Sequence, residues 1–144
     1  MSGPFVLCYD GSDLAKHAIE VSIGLLGRGH KAKLLYVYKP MERSLGVAQA
    51  LTGGRIDAPV SGETDANELI ERGVAFAREV GFDAEPVLVK ADRSIAEIIT
   101  ATAEEVDAPA IVMGQRGRSG LKSALLGSVS RDVVNAYHRP VIIV

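Results

Sequence analysis

Phe5-Val6-Leu7-Cys8-Tyr9-Asp10-Gly11-Ser12 opens the chain with an apolar run that stops abruptly at a carboxylate and a glycine. The run is continuous rather than alternating, which fits a strand buried on both faces, as in a parallel sheet. Leu34–Tyr38, Pro86–Val89, Ala110–Met113 and Val141–Val144 have the same character. Helical stripes lie between them. Leu14, Ala18, Val21 and Leu25 follow the first run and end at Gly27, as a helix commonly ends at glycine. Leu69, Gly73, Phe76 and Val80 form a second stripe, stopped by Gly81. Ile95, Ile98, Thr102 and Val106 form a third, with Ser94 as N-cap and Glu97 at the capping-box position. Val129, Val133, Ala136 and Tyr137 form the fourth, closed before Pro140. Strict alternation of strand and helix predicts an α/β fold: a five-stranded parallel sheet, doubly wound, with helices on both faces.

Size and composition agree with one domain spanning 1–144. The chain has 144 residues, of which 47% are hydrophobic and 24% charged, enough to bury a core without disulfide staples. The segment 40–67 fits the pattern poorly. It carries Gly46, Gly53, Gly54, Pro59 and Gly62 with no clean period, and reads as a variable surface loop, as local helix around Gly46–Leu51, or as a covering flap. With 16 basic and 18 acidic residues the net charge is −2, which gives no electrostatic footprint for nucleic acid or an anionic membrane. Aromatic residues are 5% and tryptophan is absent, so no stacking platform for single strands is expected. No apolar run is long enough for a signal-peptide core or a membrane span. Cys8, without a second cysteine, points to a reducing compartment, the cytoplasm.

Open parallel sheets bind ligands at the carboxyl ends of their strands, where strand order reverses. Two strand ends carry chemistry. The first ends in Asp10-Gly11-Ser12, and the fourth runs into Gly114-Gln115-Arg116-Gly117-Arg118-Ser119-Gly120. A reversal between strands one and four would bring them to one crevice. Gly127-Ser128 then opens the last helix, where glycine allows close backbone approach and unpaired N–H groups favour an anion. Arg116, Arg118 and Lys122 add positive charge, and Ser128 and Ser130 add hydroxyls. An N-cap role for Ser128 is the competing, purely structural reading. The stretch Gly120-Leu121-Lys122-Ser123 lacks the Gly-Lys pair of a Walker A loop, and no Gly-x-Gly-x-x-Gly follows the first strand. His17, His30 and His138 are scattered and form no zinc-ligand pattern. Cys8 reads as a small core residue rather than a nucleophile.

Taken together, these residues resemble the universal stress protein family, in its ATP-binding branch, over essentially the whole chain. Phe5–Ser12 is similar to the family's first strand and Asp-Gly-Ser turn. Gly114, Gly117, Gly127 and Ser128 match its pattern of Gly, two residues, Gly, nine residues, Gly and Ser/Thr. Arg139–Val144 is similar to its last strand. The resemblance implies the fold of the adenine nucleotide alpha hydrolases and ATP as ligand, alone or with Mg2+ or Mn2+. It places Asp10 near the adenosine part, and Cys8 and Val37 against the adenine. Met113 and Gly114 would line the ribose side, and Arg116 and Gly117 would approach the phosphates. Gly127, Ser128, Val129 and Ser130 would supply backbone and hydroxyl donors to them. Two departures stand out. Lys90-Ala91-Asp92 occupies a loop where the family usually has a glycine, and Arg116 holds a position that varies.

The resemblance also implies a homodimer through Val141–Val144, an apolar edge with no charge to block pairing. Three functions compete: an ATP-binding stress or regulatory protein, a slow ATPase or adenylyl- or phosphoryl-transfer enzyme, and a nucleotide-free dimeric adaptor. The intact glycine pattern argues against the adaptor, and the lack of a dedicated base beside the loop argues against the enzyme.

Overall fold

The computed structural model describes residues 2–39, 63–115 and 127–144. Five strands, β1 (Phe5–Cys8), β2 (Lys31–Tyr38), β3 (Asp83–Lys90), β4 (Ile111–Met113) and β5 (Val141–Ile143), form one sheet in the order β3-β2-β1-β4-β5. Every pairing is parallel. The described helices are α1 (Asp13–Leu26), α2 (Glu63–Val80), α3 (Ile95–Glu105) and α4 (Ser128–Ala136). The doubly wound α/β architecture expected from the alternation is the one observed. Strands β2 and β3 begin three residues before their apolar runs, at Lys31 and Asp83. Charged residues there were invisible to a reading based on apolar continuity. Residues 63–67, expected in the variable loop, belong to the start of α2. The rest of that loop, including Gly46–Leu51, lies outside the described residues.

The pleat sends alternate side chains to opposite faces. Leu7, Tyr9, Leu34 and Val112 join Ala15, Ala18 and Ile19 of α1 and Ile70, Val74 and Ala77 of α2 in one core. Val6, Leu35, Ile111 and Met113 join Ala96, Ile99 and Ala103 of α3 and Val133 of α4 in the other. The buried lines of the helices differ from the expected stripes. In α1 the interior takes Ala15, Ala18, Ile19 and Ser22, while Leu25 is 68% exposed. In α2 it takes Ala66, Ile70, Val74 and Ala77, with Leu69, Phe76 and Val80 on the flank. Bulk misled the reading, because helices that lie close to a sheet present small residues to it. Ser22 is fully buried and donates its hydroxyl to the Ile19 carbonyl at 2.7 Å, so it carries no unsatisfied group.

The two edges of the sheet differ. Strand β3 carries Pro86, which has no N–H, and exposed Asp83, Glu85 and Lys90. Lys33 of β2 is paired with Glu85 and holds its carboxyl below the usual range through a hydrogen bond. Strand β5 carries no charge, and all its residues are half-buried.

At the amino end of the sheet, three segments are tied together. Asp107 adopts φ 57°, accepts the Ser2 N–H on Oδ2 at 3.2 Å and pairs with Arg139 at 2.7 Å. Its own carbonyl accepts the Gly3 N–H at 3.1 Å. The next carbonyl, that of buried Ala108, accepts the Tyr137 hydroxyl at 2.8 Å and Arg139 Nη1 at 3.0 Å. Either donor alone satisfies it. Tyr137→Phe should therefore cost about 1 kcal/mol in urea denaturation, near the mean for a single hydrogen bond. Tyr137→Phe with Arg139→Ala should cost more than the sum of the single changes, because only then is a buried carbonyl orphaned. Strict additivity would show that the two donors do not share that acceptor.

Candidate functional site

The chain runs from β1 outward to β2 and β3, then returns to the other side of β1 to lay down β4 and β5. Strand order therefore reverses between β1 and β4, and their carboxyl ends lie side by side in register, Leu7 beside Val112. A cleft of about 150 Å³ opens there. Cys8, Tyr9 and Asp10 line it from the end of β1, Leu35 and Val37 from β2, and Met113 and Gly114 from the end of β4. Ser12 and Ala15 contribute from α1, Ile95 and Ile99 from α3, and Val129 and Ser130 from α4.

Each wall has a local cause. Gly11, at φ 84°, turns the chain sharply after β1, a conformation that costs glycine little. Asp10 Oδ1 then accepts the Ser12 N–H at 2.9 Å, and Ser12 Oγ accepts the Ala15 N–H at 3.1 Å as the N-cap of α1. The carboxylate is thus held at the cleft by its own turn. Ser94 caps α3 in the same way, accepting the Glu97 N–H at 3.1 Å.

The start of α4 is built differently. Its N-cap is Gly127, not Ser128, and no side chain caps it. The structural reading of Ser128 as N-cap therefore fails, because Ser128 is already the first helical residue. α1 and α3 carry Asp13 and Glu97 in their first turns, whereas the first turn of α4 has no acidic residue. Its first N–H groups lack intrahelical acceptors, and the positive end of its dipole meets no carboxylate there. Gly127 donates to the Gln115 carbonyl at 2.9 Å. Ser130, 3% exposed, directs its hydroxyl at the carbonyls of Gly114 (3.0 Å) and Gln115 (3.2 Å). The Ser130 hydroxyl proton is thereby used to fasten α4 to the end of β4.

Of the residues singled out from sequence, Cys8, Asp10, Val37, Met113, Gly114, Val129 and Ser130 meet in the cleft. Gly127 and Ser128 lie beside it at the helix start. Arg116 and Gly117, with Arg118 and Lys122, fall outside the described residues. The sequence reading missed Tyr9, Ser12, Ala15, Leu35, Ile95 and Ile99. A period-two count along β2 would have paired Leu35 with Val37, and a helical count would have joined Ile95 to Ile99.

The arrangement offers apolar walls for a flat ring, one fixed carboxylate for hydroxyl or amino donors, and a bare helix start for an anion. That combination fits a nucleotide. Among the described residues no group of three or more His, Cys, Asp or Glu is placed to hold a metal ion.

The model of the universal stress protein family matches residues 1–144. The chain belongs to that family. This family member is 29% identical over 151 residues to universal stress protein YxiE of Bacillus subtilis, covering 100% of this chain and 99% of that one. Among solved structures it is similar to a universal stress protein from Archaeoglobus fulgidus, with 25% identity, a TM-score of 0.69, and 99% and 98% of the two chains covered. The universal stress protein from Archaeoglobus fulgidus in complex with dAMP shares the fold, at 23% identity and a TM-score of 0.65, with 98% and 96% covered.

In this universal stress protein, burial first and the Asp10 charge second push the Cys8 thiol up to about 12. The folded state thus resists ionising Cys8, whereas the unfolded chain ionises it near 9.0. Between those values the unfolded state binds fewer protons, so stability falls as pH rises. The wild type should lose up to about 1.4 kcal/mol more per pH unit in this window than Cys8→Ala, read by urea denaturation. Parallel pH profiles for the two proteins would show that the thiol is not enclosed.

Proposed function

We propose that this protein binds an adenine nucleotide, ATP in particular, and serves as a regulatory protein of the stress response whose bound state is its signal. The observation that carries the reading is the meeting, at the β1/β4 reversal, of an apolar cleft with the uncapped start of α4. The adenine lies among Cys8, Val37 and the isoleucines of α3. Asp10 accepts a hydrogen bond from the adenosine part, and Met113 and Gly114 line the ribose side. The phosphates extend to the backbone N–H groups at Gly127, Ser128, Val129 and Ser130. The dAMP held by the Archaeoglobus fulgidus protein of the same fold supports an adenine ligand. Mg2+ or Mn2+ would arrive with the triphosphate and balance its charge.

The free Cys8 thiol supports a cytoplasmic setting. No helix among the described residues is long and apolar enough to cross a membrane.

Protein purified without added nucleotide, then denatured, should release an adenine nucleotide identifiable by mass spectrometry. Gly127→Glu puts bulk and negative charge at the phosphate end and should abolish release. Equal nucleotide content in both proteins would refute the site, and no adenine nucleotide in the wild type, with no thermal shift on adding ATP, would refute the function.

The working unit we propose is a homodimer joined through Val141–Val144. The Pro140 carbonyl and both backbone groups of Val144 bond to β4. By the alternation of a parallel ladder, the N–H and C=O groups of Val141 and Ile143 point out of the sheet. Ile143→Pro removes an outward N–H while leaving the bonds to β4 in place. It should convert a dimer to a monomer in light scattering, and an unchanged mass would exclude this edge as the contact.

A further inference from the structure

Tyr9 sits between Cys8 and Asp10, and all three line the cleft. The pleat turns its ring away from the α3–α4 face and into the core beneath α2, where it is 5% exposed. There it meets Gly73. A Cβ built on Gly73 would lie 2.7 and 2.8 Å from ring atoms Cε2 and Cδ2 of Tyr9, and 2.6 Å from Cδ2 of Leu34. Those separations are shorter than real Cβ contacts, and neither neighbour is a loose side chain, since Leu34 is fully buried. Leu34 in turn precedes Leu35, another cleft residue, whose carbonyl accepts the Tyr9 N–H at 2.9 Å. Of the two side chains that press on Gly73, Tyr9 therefore belongs to a residue of the cleft and Leu34 lies one peptide away from it.

The geometry points to Gly73 as a positioning residue for the cleft, coupling the seating of α2 to the placement of Asp10. This rests on the nucleotide-binding reading above. The missing side chain lets α2 come down onto the sheet until Tyr9 and Leu34 are clamped against it. The clamp fixes the end of β1, and with it the turn that aims the Asp10 carboxylate. Any added atom at Gly73 must raise α2 or push the Tyr9 ring toward the sheet, and close-packed interiors pass such displacements on rather than absorbing them. The coupling is reciprocal by linkage, so bound nucleotide should also hold α2 down.

The test uses the full chain and ATP as probe, at a temperature where circular dichroism shows each variant folded. Gly73→Ala should weaken ATP binding by about tenfold to a hundredfold, within the usual range of coupling between a remote position and a binding site. Tyr9→Leu placed in that background makes room for the new methyl group and should recover much of the affinity. If Gly73→Ala does not fold, Tyr9→Leu alone opens the clamp from the other side and should weaken binding too. A wild type that binds ATP, with variants that lose thermal stability but keep the wild-type Kd, would reduce Gly73 to a packing residue. A wild type that does not bind ATP would overturn the nucleotide reading instead. A ligand-independent measurement then decides the coupling: the backbone amide shifts of Asp10–Ser12 should move in Gly73→Ala. Shifts confined to α2 would overturn the inference.

Discussion

Strand β1 is hydrogen-bonded along both edges, to β2 on one side and to β4 on the other. Everything that matters for the site follows from that double pairing. A central strand must be apolar on both faces, which is why Val6 and Leu7 are fully buried on opposite sides of the sheet. It must also be left by the chain in one direction and rejoined from the other. The divergence of the chain at that reversal leaves a gap above the strand ends among the described residues. The Asp10 turn is one rim of the gap and the start of α4 is the other.

The two rims are stabilised in opposite ways, and the contrast has physical content. Around Asp10 the turn is closed by its own side chains, with Asp10 Oδ1 accepting the Ser12 N–H and the Ser12 hydroxyl oxygen accepting the Ala15 N–H. At α4 no side chain caps the helix, and the buried Ser130 hydroxyl donates to the carbonyls of Gly114 and Gln115. The helix is thereby fastened to the end of β4, while among the described residues no side chain caps its first N–H groups. The backbone anion site proposed above would need this combination, because donors that could move would lose in ordering what they gain in contact.

Much of this was legible in the sequence. Unbroken apolar runs alternating with helical stripes point to a parallel sheet covered on both faces, and five strands are too few to close the eight-stranded barrel that is the other common solution. Asp10, Gly114 and Gly127 were legible because turns and helix starts demand particular residue types. What stayed hidden has a common cause. The buried line of α1 runs through Ala15, Ala18 and Ser22 rather than through leucines, and the walls of the cleft include Tyr9, Leu35 and Ile99. Such residues look like ordinary core in a string of letters. Their position beside a cavity depends on which strands become neighbours, and strand order is a property of tertiary packing that local periodicity does not encode. The charged beginnings of β2 and β3 were missed for a related reason. They lie near one edge of the sheet, where Lys33 and Glu85 can pair in solvent and apolar continuity is not required.

The unequal edges of the sheet carry a consequence for assembly size. A sheet with two receptive edges can extend without limit, edge to edge, into a filament. Here Pro86 and its charged neighbours occupy one margin, while β5 brings no charged residue to the other. In the homodimer proposed above, two such margins meeting about a two-fold axis would both be consumed, and growth by this route would stop at two chains. The apolar strand would then act as a self-limiting joint.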